Sequence, residues 1–410
     1  MERSILHCDM NNFFASVECM LDPSLKKYPL AVCGNVEERH GIILAKNELA
    51  KAKGVKTAEP LWQAKQKCPE LVTVPPHYDE YVKMSHLARE IYARYTNLVE
   101  PFGLDECWLD LTAGLRFLGS GEKVANELRQ VIKDELGLTI SVGVSFNKVF
   151  AKLGSDMKKP DAVTLIPFPT FREKIWHLPA SDLLGVGPST AQKLKSWHIH
   201  SIGDLAMRPL DSLCRIFGKN GIQLWRYANG LDDSPVLSES SLPPAKSIGH
   251  GITTLADLVN NEEVWRVILE LCQEIGHRLY SLGQKAKGVS ITIKDKNLCT
   301  KQWQGSLPHA ECSPYKIAQK AFDLFLEGYR WGAPIRAVSV AAIRLCAENH
   351  TEQLDLFTTQ EDRQKREKLD KTVDALRLRY GDCILRNACL MDNPKMPQNR
   401  PPVCLPPAIH

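Results

Sequence analysis

Long apolar runs are missing from this chain. No stretch approaches the roughly 20 apolar residues that span a bilayer, and residues 1–20 lack the basic-then-apolar order of a secretory leader. A soluble, cytoplasmic protein without a membrane partner is therefore expected. Closely paired cysteines are missing too: the 13 cysteines include no C-x-x-C, the tightest spacing being Cys383 to Cys389. That pattern indicates neither a zinc site nor a disulfide framework, and leaves reduced core thiols as the expectation. Nor is one sign of charge in surplus, since 52 Lys and Arg face 48 Asp and Glu for a net charge of +4. Total charge thus says little about nucleic acid, and its distribution has to decide. What remains is a globular composition, 44% hydrophobic and 24% charged over 410 residues, enough for roughly two to four domains.

The local pattern is more informative. Residues 99–110, VEPFGLDECWLD, set adjacent carboxylates Asp105 and Glu106 after an apolar run broken by Pro101 and Gly103, and before the strand-like Cys107, Trp108 and Leu109. The pattern predicts a β-hairpin with the acidic pair at or beside its turn. Neighbours on a regular strand point to opposite faces, so the two can meet one ion only where the backbone bends. Carboxylates held together repel unless a cation neutralises them, and hard oxygen ligands suit Mg²⁺; a plain solvated turn has the same local sequence. Residues 4–8 read as a buried strand ending at Asp9, ahead of Asn11, Asn12 and the apolar Phe13, Phe14, Ala15 and Val17. Asp9 is placed there either as a helix N-cap or as a site residue at a strand end. If that strand lies beside the hairpin, Asp9, Asp105 and Glu106 form a three-carboxylate cluster of the kind that supports two-metal phosphoryl or nucleotidyl transfer.

These blocks, HCDMNNFFASVE over 7–18 and PFGLDECWLD over 101–110, resemble the paired catalytic motifs of the Y-family DNA polymerases, the translesion enzymes of the bacterial polymerase IV type. SVGVSFNKVFAKLGSDMKKP at 141–160 resembles the family's second palm block, and LLGVGPSTAQKL at 183–194 its thumb helix-hairpin-helix, in the family's order. The resemblance implies an α+β fold: a right-hand polymerase with palm and fingers in 1–166 (fingers about 11–77), a helical thumb in 167–235, a linker at 236–244, an α+β little finger domain at 245–346, and a tail over 347–410. It implies a monomer that extends primer-template DNA with deoxynucleoside triphosphates at low fidelity, and no segment resembles an added proofreading exonuclease. Two Mg²⁺ ions are implied on the catalytic carboxylates Asp9, Asp105 and Glu106 and on the backbone carbonyl of Met10. Phe14 is implied as a steric gate against a ribose 2′-OH, with Phe13 beside it as a further substrate contact, while the residue pattern alone equally allows Phe14 to be a core aromatic. Lys51 and Lys159 are implied on the incoming triphosphate. The chain departs from the family's Tyr-Glu-Ala-Arg before Gly54, having Glu48 at the tyrosine and Lys51 at the arginine, and has Ala162 where a glycine is common. Lys51 keeps the charge without arginine's two-pronged fork, and Glu48 would repel phosphate if it faced it.

Elsewhere the periodicity predicts helices over 79–97 and 121–136, a strand over 138–144, and a helix from an Asn147 cap toward Met157, with Lys158 and Lys159 also favourable at a helix C-terminus. Residues 46–70 read as a lysine-rich helical region. Between 190 and 230, Lys193, Lys195, Arg208, Arg215, Lys219 and Arg226 oppose only Asp204 and Asp211. Glycine turns at 185–187 and 217–221 offer helix-start N–H groups, at Gly185 and Gly187 above all, to DNA phosphates, although a plain helical turn looks alike. Residues 232–244, rich in Ser and Pro, read as a linker. Strands over 246–254, 289–295 and 337–345 alternate with helices over 262–282 and 314–327, and Lys246, Ser247 and His250 are either DNA backbone contacts or a solvated strand edge. In the tail, Gln353, Leu354, Asp355, Leu356 and Phe357 match the short peptide by which bacterial polymerases dock on the β sliding clamp. Leu356 and Phe357 would be its apolar anchors and Gln353 its hydrogen-bonding group, a core-facing pair being the alternative. A charged helix over 361–379 and disorder from Pro394 are expected. Two other functions fit part of the pattern: a non-catalytic DNA- and clamp-binding protein, which has no need of the three carboxylates, and a nucleotide cyclase, which has no need of thumb hairpins or a clamp peptide. Within the family, a mutasome subunit dependent on an accessory protein also fits.

Overall fold

The computed structural model describes residues 3–35, 39, 41–241, 243–349, 360–381, 384–391 and 395–396. They fall into two compact units, the first within 1–34 and 42–243, the second within 35–41 and 244–400.

In the first unit the strands are β1 (Ile5–Met10), β2 (Leu30–Cys33), β3 (Ile43–Lys46), β4 (Val72–Val74), β5 (Val99–Phe102), β6 (Glu106–Asp110), β7 (Ile140–Ser145) and β8 (Val163–Ile166). Five of them form a mixed sheet in the order β5-β6-β1-β7-β8, with β7 and β8 parallel and the other neighbours antiparallel. Alternation along β1 and β6 gives the sheet two different faces. Leu6, Cys8, Met10, Cys107 and Leu109 join a core with Tyr81, Ile91 and Tyr92 of helix Tyr78–Ala93 and with Val124, Leu128 and Ile132 of helix Gly121–Leu136. Ile5 and Trp108 pack the other way, against Ala151 of helix Lys148–Met157. That helix lies close on the sheet because β7 carries Gly143, where a Cβ would collide with the Ala151 carbonyl oxygen. Asn147 starts it as expected, its Oδ1 accepting from Phe150 N at 2.8 Å.

The smaller sheet, β3-β2-β4, packs Leu30 and Val32 against Ala15 and Cys19 of helix Phe13–Leu21. The expected helical region over 46–70 is two short helices, Glu48–Ala52 and Leu61–Lys67. Gly54, at φ +82°, and Pro60, the N-cap of the second, divide it. Four further helices, Pro188–Ser196, Ile202–Met207, Leu210–Phe217 and Lys219–Ala228, bury Leu194, Leu205, Leu213 and Leu224 in a core shared with Val149, Phe150 and Leu153 of helix Lys148–Met157.

The segment expected as a linker is partly fixed. Val236 is buried with Ile5 and Trp108, and Leu237 N donates to Glu100 Oε2 at 2.8 Å. Glu100 is itself buried and pairs with Lys148 Nζ at 2.6 Å. With Arg3 donating to the Ser234 carbonyl and Arg89 paired with Glu239, a few single contacts dock a Ser/Pro-rich stretch that carries no periodic signal.

The second unit contains β9 (Ser247–Leu258), β10 (Gln284–Asp295), β11 (Thr300–Glu311) and β12 (Ile335–Ala347), all antiparallel in the order β11-β10-β12-β9. Helices Asn261–Ser281 and Pro314–Gly328 bury Ile268, Leu271, Ile275, Ile317, Ala321 and Phe325 against it. Strand β11 was not expected: it is an edge strand with a polar face, Gly305 and Pro308, features that edges tolerate and that conceal a strand pattern. A charged helix, Gln360–Tyr380, follows as expected, with Asp374 3.0 Å from His277 and Lys371 2.6 Å from Glu348. The peptide Gln353, Leu354, Leu356 and Phe357 lies outside the described residues. Among the described residues no helix is long and apolar enough to cross a membrane, and Cys8, Cys33, Cys68, Cys107, Cys272 and Cys312 are buried free thiols.

Candidate active site

The hairpin expected at 99–110 is present, with β5 and β6 joined through a turn at Gly103, φ +81°, a backbone state that glycine adopts without strain. Strand β1 lies beside it in a register that sets Asp9 opposite Glu106, while Met10 N donates to Asp105 O at 3.0 Å and ties the turn to β1. Asp9 is therefore no N-cap; Asn12 occupies that position, in left-handed conformation at φ 51°. Because Asp9 and Glu106 are cross-strand partners, their side chains share one face, that of helix Lys148–Met157.

The three acids are electrostatically distinct. Burial pushes Asp9 up to about 6, against the pull of the Lys159 ammonium, whose Nζ is 2.8 Å from Asp9 Oδ2. Burial, followed by the charges of Glu106 and Asp9, also raises Asp105 to about 6. Glu106 moves the other way, to about 2: burial opposes its ionisation, but His7 and Lys152 outweigh it, with His7 Nε2 3.1 Å and Lys152 Nζ 2.5 Å from Oε2. His7 is fully buried, with Nδ1 2.8 Å from Ser155 Oγ, and burial lowers its own pKa.

Among the described residues, no group of three or more His, Cys, Asp or Glu side chains is disposed to hold a metal ion. Lysines stand on two of the carboxylates instead, Lys159 on Asp9 and Lys152 on Glu106. The donor set still fits a hard divalent ion. Its ligands are carboxylate oxygens, and Asp105 is held back from ionisation in part by the negative charges of its neighbours, which a cation relieves.

The other expected residues separate into engaged and open ones. Phe13 is 3% exposed and belongs to the core, its ring centroid 5.7 Å from that of Phe14. Phe14 is half-buried and stacks on Tyr81, with ring centroids 4.1 Å apart and 9° between planes. Lys51 Nζ is 3.4 Å from Glu48 Oε1, which also accepts from Asn12 Nδ2 at 2.9 Å. Glu48, which would repel a phosphate that it faced, sits against Lys51. Lys159 also meets Asp156 Oδ1 at 2.9 Å. Lys193 Nζ donates to the Ile216 carbonyl at 2.6 Å, where the end of helix Leu210–Phe217 attracts the cation by its own dipole. Gly185 turns at φ +86°, and Gly187 is the N-cap of helix Pro188–Ser196, with open space where its Cβ would be. Lys246 and Ser247 are exposed at the start of β9, and His250 is half-buried on that edge strand.

Sequence reasoning missed His7, Lys152 and Ser155. A signal existed: His7 is two residues before Asp9 on the same strand face, and Lys148, Lys152, Ser155 and Lys159 follow a helical repeat.

Known proteins resemble this chain over most of its length. Residues 8–156 match the impB/mucB/samB family, 245–356 its C-terminal domain, and 181–232 the DNA polymerase-iota thumb domain. The chain is 49% identical to a DNA polymerase IV of Acetivibrio thermocellus over 96% of this chain and 98% of that one. It is 36% identical to DNA polymerase IV 1 of Bacillus subtilis, over 95% of this chain and 93% of that one. A Y-family DNA polymerase chimera of Dbh and Dpo4 shares its fold with TM-score 0.76 at 22% identity, covering 84% of this chain and 99% of the chimera.

Proposed function

The chain belongs to the Y family of DNA polymerases and is a DNA-directed DNA polymerase, and from that premise we propose that it performs translesion synthesis by nucleotidyl transfer at Asp9, Asp105 and Glu106. The observation that carries this reading is the register of β1 on β6, which sets Asp9 opposite Glu106 with Asp105 in the adjoining turn. These three, with the Met10 carbonyl, would hold two Mg²⁺ ions. Bound there, the ions supply Lewis-acid activation of the primer hydroxyl and neutralise the triphosphate.

The protein's own groups orient the reactants. Lys159, released from Asp9, reaches the triphosphate as its counter-charge, and Lys51 does so from helix Glu48–Ala52 once Glu48 yields it. The primer 3′ oxygen then attacks the α-phosphorus, the bond to the bridging oxygen breaks, and pyrophosphate leaves. Phe14 stands as the gate against a ribose 2′-OH. The glycine turns at Gly185 and Gly187, and the edge residues Lys246, Ser247 and His250, take the DNA backbone. Gln353, Leu354, Leu356 and Phe357 dock the enzyme on the β sliding clamp, and synthesis proceeds without exonucleolytic correction, as a monomer in the cytoplasm.

Primer extension with purified protein, Mg²⁺ and four deoxynucleotides, beside an Asp105→Ala variant, tests the centre. Extension by the native chain and loss in the variant is the expected result; equal extension by both overturns the assignment.

A further inference from the structure

A buried carboxylate that the proposed chemistry does not use stands behind the gate. Glu18 is 3% exposed, yet it lies on helix Phe13–Leu21 one turn beyond Phe14. Its Oε1 accepts a hydrogen bond from the Tyr81 hydroxyl, and its Oε2 lies 2.9 Å from His77 Nδ1. Tyr81 is fully buried and is the residue on which Phe14 stacks. Tyr78 adds an edge-on contact to Phe14, with centroids 6.0 Å apart.

These contacts close a loop. Phe14 and Glu18 project from one helix, and Tyr81 with its neighbour His77 comes from the start of helix Tyr78–Ala93. Stacking alone holds two rings parallel and leaves them free to slide, because the attraction between ring faces changes slowly with offset. A hydrogen bond from the far end of one ring to a carboxylate is directional and removes that freedom. Since the carboxylate belongs to the same helix as Phe14, the bond fixes the Tyr81 ring relative to Phe14 and not merely to the core. Packing alone would favour an apolar side chain at position 18, because a buried carboxylate needs partners to offset its lost hydration.

We infer that Glu18 and Tyr81 are positioning residues that set the sugar-selecting face of Phe14, and so determine how strictly deoxynucleotides are preferred over ribonucleotides. This rests on the reading of Phe14 as the gate. A gate of this kind discriminates by occupying the volume of one oxygen atom, so a shift of the ring by a fraction of that width admits the 2′-OH. His77, half out in solvent, supports Glu18 from outside and has a smaller effect.

The test is the ratio of kcat/KM for a deoxynucleoside triphosphate to that for its ribonucleotide, measured by single-nucleotide primer extension. Tyr81→Phe keeps the stack and removes the hydroxyl; Glu18→Leu removes the acceptor; Glu18→Gln retains a carbonyl oxygen that can still accept. Loss of one charge-assisted hydrogen bond predicts a fall in the ratio of about 5- to 20-fold for Tyr81→Phe and Glu18→Leu, with Glu18→Gln restoring most of it. General loosening of the fold lowers both rates together and leaves the ratio in place. Phe14→Ala is run alongside. If it loses discrimination while Tyr81→Phe and Glu18→Leu keep the native ratio, the positioning role is overturned and the gate stands. If Phe14→Ala itself keeps the native ratio, the gate reading falls and this inference with it.

Discussion

Lys159 Nζ stands 2.8 Å from Asp9 Oδ2, so the centre carries its own cation before any substrate arrives. Both partners are largely enclosed, at 28% and 8% side-chain exposure, which makes the contact less screened than a surface pair. If the same ammonium transfers to the triphosphate, Lys159→Gln weakens nucleotide binding by losing a charge. The expected outcome is a rise in KM for the deoxynucleotide of about tenfold, the equivalent of about 1.4 kcal/mol. Steady-state kinetics at saturating DNA checks it; an unchanged KM would remove Lys159 from the nucleotide site.

The elevated pKa values of Asp9 and Asp105 give a stability signature. Both rise from 3.8 to about 6, so the folded protein prefers them protonated more than the unfolded chain does. Their contribution to stability is fully present below about pH 4 and is lost as pH rises through about 6. Metal-free protein is therefore expected to melt at lower temperature at pH 7.5 than at pH 5 on account of these groups. Asp105→Asn, which cannot ionise, should be about 1–3 kcal/mol more stable than the native chain at pH 7.5 without metal, although inactive. Added Mg²⁺ should raise the melting temperature of the native chain more than that of the variant. Thermal unfolding in chelator and in Mg²⁺, across that pH range, reads all three comparisons.

The hairpin was legible because its signals are local: Pro101 and Gly103 punctuate it, and Cys107, Trp108 and Leu109 read as a strand. The pairing that brings Asp9 to Glu106 is not local, and the residue pattern offers it only as a condition; nearly a hundred residues separate the strands, and nothing in either one specifies its partner. Phe13 and Phe14 show the limit at single-residue scale. Both are apolar and adjacent, yet a helix turns about 100° between them, leaving one in the core and the other half-buried against Tyr81. Charge density marks Lys193 but does not reveal that its Nζ donates a hydrogen bond to the Ile216 carbonyl. Strand β11 and the docking of Val236 escaped for a related reason, since an edge strand and a single anchor leave no periodic trace.

Glu100 and Lys148 form the most enclosed ion pair near the site, with side chains 6% and 12% exposed and 2.6 Å between Oε1 and Nζ. Glu100 also accepts from Leu237 N, and Lys148 lies over the Trp108 ring at 4.4 Å. Glu100→Ala would leave the ammonium and an amide without their acceptor. Breaking a buried pair from one side destabilises by about 3–5 kcal/mol; denaturant unfolding should show a loss of that order. Glu100→Gln, which can still accept from Leu237 N, should lose less. Equal stability of Glu100→Ala and the native chain would mean that Val236 and the contacts of Arg3 with Ser234 and of Arg89 with Glu239 hold residues 232–241 without it.

Gly143 offers a test of the geometry that presents Lys152 to Glu106. A Cβ on this residue would collide with the Ala151 carbonyl oxygen and would lie 2.5 Å from Ser155 N, both of them backbone of the helix that also carries Lys152. Backbone cannot rotate aside as a side chain can, so Gly143→Ala must push helix Lys148–Met157 away from the sheet. Overpacking of this kind destabilises by about 1–3 kcal/mol. The displacement also draws Lys152 from Glu106 and Ser155 from His7, which now stand at 2.5 and 2.8 Å. Polymerase activity should therefore fall well beyond what the lost stability explains, when measured at a temperature where the variant remains folded. Ala151→Gly, which removes only the methyl group packed against Ile5 and Trp108, should retain the native turnover to within about twofold, because its backbone oxygen and the helix position are unchanged. A Gly143→Ala protein with native turnover would show that Lys152 and His7 need not hold Glu106 for the reaction to proceed.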